Sequence, residues 1–169
     1  MLPGRPRSIE AGRRASEVPS RRRGAVREVR IDDANYGELL DRTDAGLVLV
    51  VCAETTHPEN DLHVRVFAEA HGVGEDPATG SANGCLAAYL ARERYFDSSI
   101  VEARVEQGYE LDRPSLLLLR ASDAMSTADR TQNSAIEERD GGKGRNGEGS
   151  GVEVRVGGRV LTVAEGELL

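Results

Sequence analysis

The sequence predicts an antiparallel α+β domain built around one buried helix. Short apolar or alternating segments typical of strands occur before and after a single strong helical pattern, with turn residues between them. This order favours an antiparallel sheet over a doubly wound parallel one. The helical pattern follows Gly80, with apolar residues on one face and small residues on the others. A helix that can be approached closely from all sides is expected inside a sheet rather than on its surface, and 169 residues suit one such domain.

Composition and charge exclude several classes of protein. The longest apolar run, 47–53, has seven residues, far short of the roughly 18 of a membrane-spanning helix, so no membrane is expected. Cys52 and Cys85 are 33 residues apart and fit neither a disulfide framework nor a zinc site, which favours a reducing, cytoplasmic environment. A net charge of −7 with one lysine, Lys143, against 21 arginines is typical of a halophile-like acidic protein or of a GC-rich genome.

The first 30 residues differ from the rest of the chain. They hold nine arginines and three acids (+6), whereas 31–169 hold 13 basic and 26 acidic side chains (−13). Few apolar residues and no periodicity predict a basic, disordered arm over 1–30 and a folded domain over 31–169. No apolar segment follows the arginines, so a secretory signal is not predicted. The cluster 21–23 can contact phosphates, but without interleaved aromatic residues, and on an acidic body, nucleic acid is not an expected partner.

The remaining elements are predicted from their patterns in chain order. Strands are predicted at 26–31, 47–51, 62–67, 100–107 and 115–120, and a further helix at 34–42. Alternation in 62–67 predicts one buried face and places His63 on the solvated face. Alternating valines around Gly157 and Gly158 predict a hairpin over 151–161. The segment 122–151 is rich in glycine and charge and predicts a disordered insertion.

One segment, 71–82, combines residues that can do chemistry. Gly80 and Ser81 fall in the first turn of the predicted helix, where backbone N–H groups lack helical partners and attract anions. Asp76 lies just upstream. A carboxylic acid docked on the two amides would place its reacting carbon near the Asp76 carboxylate. The alternative is plain helix capping, since Asp76, Thr79 and Ser81 are all capping residue types.

Other kinds of site are not predicted. The glycines of this segment do not form the dinucleotide-binding pattern, and no Lys-Ser/Thr pair completes a phosphate loop. His57, His63 and His71 lack paired ligand spacing, so no metal is expected. No serine lies in a nucleophile-elbow sequence. His71 lies beside the segment and either contacts a ligand there or is structural.

Four strings of the sequence, EDPATGSA, LAAYL, EQGYELDRPSLLLL and VRVGGRVLTVAEGEL, resemble the C-terminal half of the PhzF-like isomerases of phenazine biosynthesis. This family is related to diaminopimelate epimerase. The resemblance covers 32–121 and 152–169, and EDPATGSA is its most specific string. It implies one half of a diaminopimelate-epimerase-like α+β fold, in which an antiparallel or mixed sheet wraps around a central helix. The active site then lies between two such halves.

The resemblance also implies the chemistry, which is a proton shift on a small carboxylic acid without cofactor or metal. Asp76 and Ser81 carry over as catalytic residues. Gly80, Ser81 and Thr79 carry over as substrate-binding residues. Diaminopimelate epimerase uses two cysteines instead, but this turn has none. Cys85 lies one helical turn further on and is expected to be a small buried residue.

The resemblance leaves one catalytic group without a counterpart. In the family, an acidic residue from the N-terminal half faces the substrate from the other side, and no segment of this sequence matches that half. Proton transfer on two faces of a substrate needs a group on each face. We therefore expect a partner, either a second copy in a homodimer or a separate N-terminal half. The alternatives are a truncated, non-catalytic remnant and a module that binds a small ligand or a partner.

Overall fold

One mixed sheet is the main element of the protein. The computed structural model describes residues 7–10, 14–32, 35–38, 46–69, 72–123 and 151–159. The eight strands are β1 (Arg7–Glu10), β2 (Arg14–Pro19), β3 (Leu47–Cys52), β4 (Leu62–Ala68), β5 (Val73–Asp76), β6 (Ile100–Gln107), β7 (Ser115–Asp123) and β8 (Val152–Gly158). The helices are α1 (Arg23–Glu28) and α2 (Gly80–Arg92), with a 3₁₀ turn at Tyr109–Leu111 and one helical turn at 35–38.

β4 is the branch point of the sheet. The strand order is β1-β2-β3-β4-β6-β7-β8, with β5 also paired to β4. β3 pairs antiparallel along one edge of β4, and β6 (parallel) and β5 (antiparallel) share the other edge. Gln107 lies opposite Val64 and Asp76 lies opposite Val66. The C-terminal ends of β6 and β5 therefore meet along this edge.

The sheet encloses α2, as the sequence predicts. All residues of α2 from 82 to 91 are buried, and only its ends are exposed. The helix packs mainly against β7 and β8 and also contacts β1, β2 and β6. A Cβ on Gly84 would lie 3.8 Å from methyl groups of Val154 and Val156, so the small residues of α2 let β8 approach closely. The predicted α+β class, with a mixed sheet around a central helix, is confirmed.

A second, smaller core lies on the outer face of the sheet, away from α2. Its buried members are Val26, Tyr36, Val48, Val50, Cys52 and Phe67. Val26 belongs to α1 and is fully buried. Because α1 covers the outer face of β3 and β4, these two strands are buried on both faces.

The beginning of the chain differs from its prediction. In place of a disordered arm over 1–30 and a strand over 26–31, the described residues there form β1, β2 and α1. β2 extends the sheet by pairing parallel with β3, and backbone pairing of this kind needs no apolar side chain. Val26 alone anchors the short α1 in the outer core. Of the helix predicted at 34–42, the structure describes residues 35–38, and these are helical.

The strands predicted at 47–51, 62–67, 100–107 and 115–120 are confirmed. The solvated face expected for the second of them is wrong. His63 is fully buried and Arg65 is 5% exposed, because neighbouring elements pack on the outer face of β4. Alternation of polar and apolar residues therefore marks two different buried environments here.

The predicted hairpin over 151–161 is wrong at its turn, and its residues 160 and 161 lie outside the described residues. Gly157 and Gly158 are the last two residues of β8, where they pair with Leu118 and Leu117 of β7. Of the predicted insertion, residues 122 and 123 end β7 and residue 151 precedes β8, while 124–150 lie outside the described residues. No helix in the described part of the chain is long and apolar enough to span a membrane.

Candidate active site

The EDPATGSA segment forms a turn between β5 and α2. β5 ends at Asp76, Thr79 is the N-cap residue and Gly80 begins α2. Gly80 and Ser81 are exposed, and their backbone N–H groups have no hydrogen-bond partner among the described residues. They are accessible donors at the positive end of the helix dipole. An anion approaching this end of α2 would meet both.

Thr79 holds the Asp76 side chain beside the start of α2. The Thr79 hydroxyl donates to Asp76 Oδ2 at 2.5 Å, and it makes no capping hydrogen bond to the helix. Side-chain capping by Thr79, one of the two interpretations open from the sequence, is therefore absent. The hydroxyl fixes the orientation of the Asp76 carboxylate instead.

Gln107, at the end of β6, is the centre of a buried network beneath the turn. Its Nε2 donates to the Asp76 carbonyl oxygen at 2.6 Å and to Thr79 Oγ1 at 3.1 Å. Its Oε1 accepts from the Thr79 backbone N–H at 3.3 Å and from Asn83 Nδ2 at 2.8 Å. Gln107 and Asn83 are fully buried, so they position the turn. Sequence reasoning missed both residues, because their partners come from other elements.

Gly108 lets the end of β6 pack directly against the turn. Its φ of +82° lies in the left-handed region that favours glycine. A Cβ at this position would lie 2.4 Å from the Arg113 carbonyl oxygen and 2.8 Å from that of Pro77. No side chain fits there, so Pro77 and the network around Gln107 are held at close range.

Glu75, the neighbour of Asp76, points to the opposite face. Adjacent side chains of a strand alternate in direction. Glu75 Oε1 and Oε2 accept from Arg65 Nε and Nη2 at 2.9 and 2.7 Å. Arg65 Nη1 also donates to the carbonyl oxygens of Val26, Arg27 and Val29. Glu75 is therefore committed to a buried ion pair on the outer face and does not join Asp76 at the turn.

A second polar cluster, formed by His63, Glu106 and Glu110, is buried on the outer face. His63 Nδ1 lies 2.7 Å from Glu106 Oε1, and its Nε2 lies 3.1 Å from Glu110 Oε1. Burial would raise the pKa of Glu106, but hydrogen bonds from the Asn60 side chain, the Thr56 backbone N–H and His63 outweigh it and lower the pKa to about 2. Glu106 is therefore an ionised structural group. Alternation along β6 identifies its face but not its partner.

Both cysteines are buried, and one histidine lies outside the described residues. Cys85 is buried within α2, as expected, and burial raises the pKa of Cys52 to about 11. His71 lies outside the described residues. Within the described ranges, no three His, Cys, Asp or Glu side chains are grouped so that they could hold a metal ion.

The turn exposes Gly80 and Ser81. Three cavities lined by described residues, of about 530, 520 and 250 Å³, include none of the residues Asp76, Gly80 and Ser81. What this part of the chain offers is a carboxylate and two backbone donors side by side. Such an arrangement can bind a carboxylate and exchange a proton with a group next to it.

The family of the chain follows from this fold and turn together with comparisons to known proteins. A mixed sheet wrapped around one buried helix, with an acidic turn at the start of that helix, defines an α+β fold. A family model described as phenazine biosynthesis-like protein matches residues 19–139. The chain belongs to this family, PhzC-PhzF.

The relatives that the chain matches include isomerases. It is 33% identical over 108 residues to an uncharacterized isomerase of Mesorhizobium japonicum, covering 60% of this chain and 35% of the relative. It is 47% identical over 60 residues to the trans-2,3-dihydro-3-hydroxyanthranilate isomerase of Pseudomonas aeruginosa, covering 36% and 21%. The crystal structure of a PhzF-family phenazine biosynthesis protein of Bacillus anthracis is similar with a TM-score of 0.58 and 26% identity, over 70% of this chain and 40% of that chain. The chain thus spans well under half of each relative.

Proposed function

We propose that this domain forms one wall of an isomerase site that shifts a proton on a small carboxylic acid without a cofactor. The observation that carries the proposal is that the Gly80 and Ser81 amides have no partner among the described residues while Thr79, the residue before Gly80, holds the Asp76 carboxylate. The network around Gln107 holds these groups in a fixed relation. Membership of the PhzC-PhzF family supports the same chemistry.

The backbone donors bind the substrate carboxylate in this mechanism. The Gly80 and Ser81 N–H groups and the Ser81 hydroxyl hold the carboxylate at the positive end of α2. They also stabilise the negative charge that develops as a neighbouring C–H bond loses its proton. A proton shift breaks one C–H bond and forms another, so electrons balance without an oxidant or reductant.

Asp76 serves one face of the substrate in this mechanism. The Thr79 hydroxyl keeps the Asp76 carboxylate turned toward the start of α2. There the carboxylate accepts or returns the migrating proton. A group on the other face has to come from elsewhere, since Glu75 pairs with Arg65 on the far side of the sheet. We propose that a separate N-terminal half supplies it.

The test is deuterium incorporation from D₂O into trans-2,3-dihydro-3-hydroxyanthranilate, the compound named for the Pseudomonas aeruginosa relative. The chain is assayed alone and with the N-terminal half of that relative. We expect exchange only with both parts present, and a loss of roughly 10²–10⁴-fold in Asp76→Asn. The matched control is Asp97→Asn, an exposed carboxylate with a left-handed backbone that Asn tolerates.

Three results would contradict the proposal. Exchange by the chain alone, abolished by Asp76→Asn, would mean that the chain holds both catalytic groups itself. Binding of the compound without exchange in the presence of the added half would favour a non-catalytic ligand-binding module. Equal rates in Asp76→Asn and Asp97→Asn would remove Asp76 from the mechanism.

A further inference from the structure

A polar cavity of about 520 Å³ lies beside α1 on the outer face of the sheet. Its lining includes Arg23, Arg27, Arg30, Arg65, Tyr109 and Glu110. Four arginines line this one cavity, although the net charge of the chain is −7. The volume is sufficient for a small molecule.

Arg65 at the floor of the cavity is already neutralised. It is 5% exposed, and its guanidinium forms a two-point ion pair with Glu75. It also donates to backbone carbonyls at the end of α1. Arg65 therefore fixes the floor of the cavity and leaves the other three arginines to attract a ligand.

The guanidinium groups of those three arginines form no ion pair with a described residue, although the Glu54 carboxylate accepts from the Arg23 backbone N–H at 2.9 Å. Among the described residues, no ion pair joins Arg23, Arg27 or Arg30 to a carboxylate. Arg23 Nη1 donates to Thr56 Oγ1 at 2.6 Å, and Arg30 Nη1 donates to the carbonyl oxygens of Arg27 and Val29. Neither contact neutralises the positive charge. The side chain of Arg27 donates to no described residue and is exposed.

The acids near the cavity compensate only part of this charge. Glu110 faces His63 Nε2 at 3.1 Å, which turns it toward the buried cluster. Asp112 is the one other acid in the lining. Guanidinium groups bind carboxylate and phosphate oxygens through two parallel hydrogen bonds. Three guanidinium groups that form no ion pair with the described residues therefore fit a ligand with at least two negative charges.

We propose that this cavity binds a small polyanion through carboxylate or phosphate oxygens, at a site separate from the candidate active site. Glu75, which faces the cavity floor, and Asp76, which faces the start of α2, lie on opposite faces of β5. The two sites are thus neighbours along the chain but open on different sides of the sheet. The proposal does not depend on isomerase activity.

The test is isothermal titration calorimetry of the full chain at low ionic strength, with inorganic pyrophosphate and citrate as separate probes and acetate as the monoanion control. We expect 1:1 binding of at least one polyanion, weakening as salt is added. Arg27→Gln should weaken it about tenfold or more, whereas Arg27→Lys, which keeps the charge but loses the fork, should weaken it less. The matched control is Arg155→Gln, an exposed arginine of β8 that pairs with Glu153.

The results of the titrations distinguish a phosphorylated ligand from a polycarboxylate, and they also decide whether the proposal holds. Binding of pyrophosphate alone indicates a phosphorylated ligand, and binding of citrate alone indicates a polycarboxylate. Binding of neither probe at millimolar concentration would overturn the proposal. Equal affinity in the native chain, Arg27→Gln and Arg23→Gln would overturn it as well, since the anion would then bind elsewhere. Arg27 is exposed, so its substitution should leave the thermal unfolding midpoint unchanged.

Discussion

Gln107 Nε2 donates to the backbone carbonyl oxygen of Asp76 at 2.6 Å, which joins the end of β6 to the turn before α2. The two residues are 31 positions apart in the chain, and they meet because β5 and β6 share one edge of β4. This contact explains how an exposed turn is held still. Its position depends on a side chain that is buried and out of reach of any ligand.

Replacing Gln107 by Leu should destabilise the fold and loosen the turn. The substitution keeps the approximate volume but leaves the Asn83 amide and the Thr79 backbone N–H without their buried acceptor. Unpaired buried groups of this kind cost about 1–3 kcal/mol each, so we expect a loss of roughly 2–4 kcal/mol in urea unfolding. The matched control is Glu102→Gln, an exposed residue of the same strand, which should change the free energy of unfolding by less than about 0.5 kcal/mol. Similar midpoints in both variants would contradict the positioning role of Gln107.

Because Glu106 is ionised in the fold, the free energy of unfolding should fall as the pH is lowered into the acidic range. The pKa of Glu106 is lowered from 4.5 to about 2, so its contribution is fully present above pH 4.5 and is lost as the pH falls toward 2. We expect Glu106→Gln to be less stable than the native chain at pH 7 by on the order of 2–3 kcal/mol. The two unfolding free energies should converge as the pH is lowered through this range. Parallel curves would show that the carboxylate charge does not stabilise the fold.

Adding a single methyl group at Gly108 should be strongly unfavourable. The left-handed backbone and the carbonyl oxygen of Arg113 at 2.4 Å from the added Cβ both oppose Gly108→Ala. We expect a loss of more than about 2 kcal/mol in chemical denaturation. Gly151→Ala is the control, because no atom lies within 4 Å of its added Cβ. A Gly108→Ala variant as stable as this control would mean that the close packing against Pro77 is not required.

The elements that the sequence predicted correctly are those whose own residues carry the strand or helix pattern. The run 47–51 became β3 because an unbroken β-branched and leucine segment suits a strand buried on both faces. The spacing of apolar and small residues after Gly80 predicted α2 and its burial, since such a helix can be approached closely from all sides. The anion-attracting start of α2 could also be anticipated, since every helix leaves its first N–H groups unpaired. What these amides bind stays a prediction.

The features that the sequence did not predict depend on contacts between segments that are distant in the chain. The alternation of polar and apolar residues around His63 predicted that its side chain is solvated. In the structure, Glu106 lies opposite His63 in the sheet and forms a hydrogen bond with its buried ring. Gly157 and Gly158 favoured a turn locally, yet their pairing with β7 keeps them in a strand. Sequence composition could not predict β2 either, since its place is set by its pairing with β3.

In the proposed mechanism, the first amides of α2 bind the carboxylate of the substrate. The direct test is to titrate the ¹⁵N-labelled chain with anthranilate, a stable aromatic carboxylate, and to follow the amide resonances. Gly80 is the first helical residue, where proline is tolerated and removes only the N–H, and a Cβ there meets no atom within 4 Å. We expect the Gly80 and Ser81 resonances to shift in the native chain. Affinity should be retained in Gly80→Ala and weakened about tenfold in Gly80→Pro. Unshifted Gly80 and Ser81 resonances, or equal affinity in Gly80→Ala and Gly80→Pro, would contradict the account.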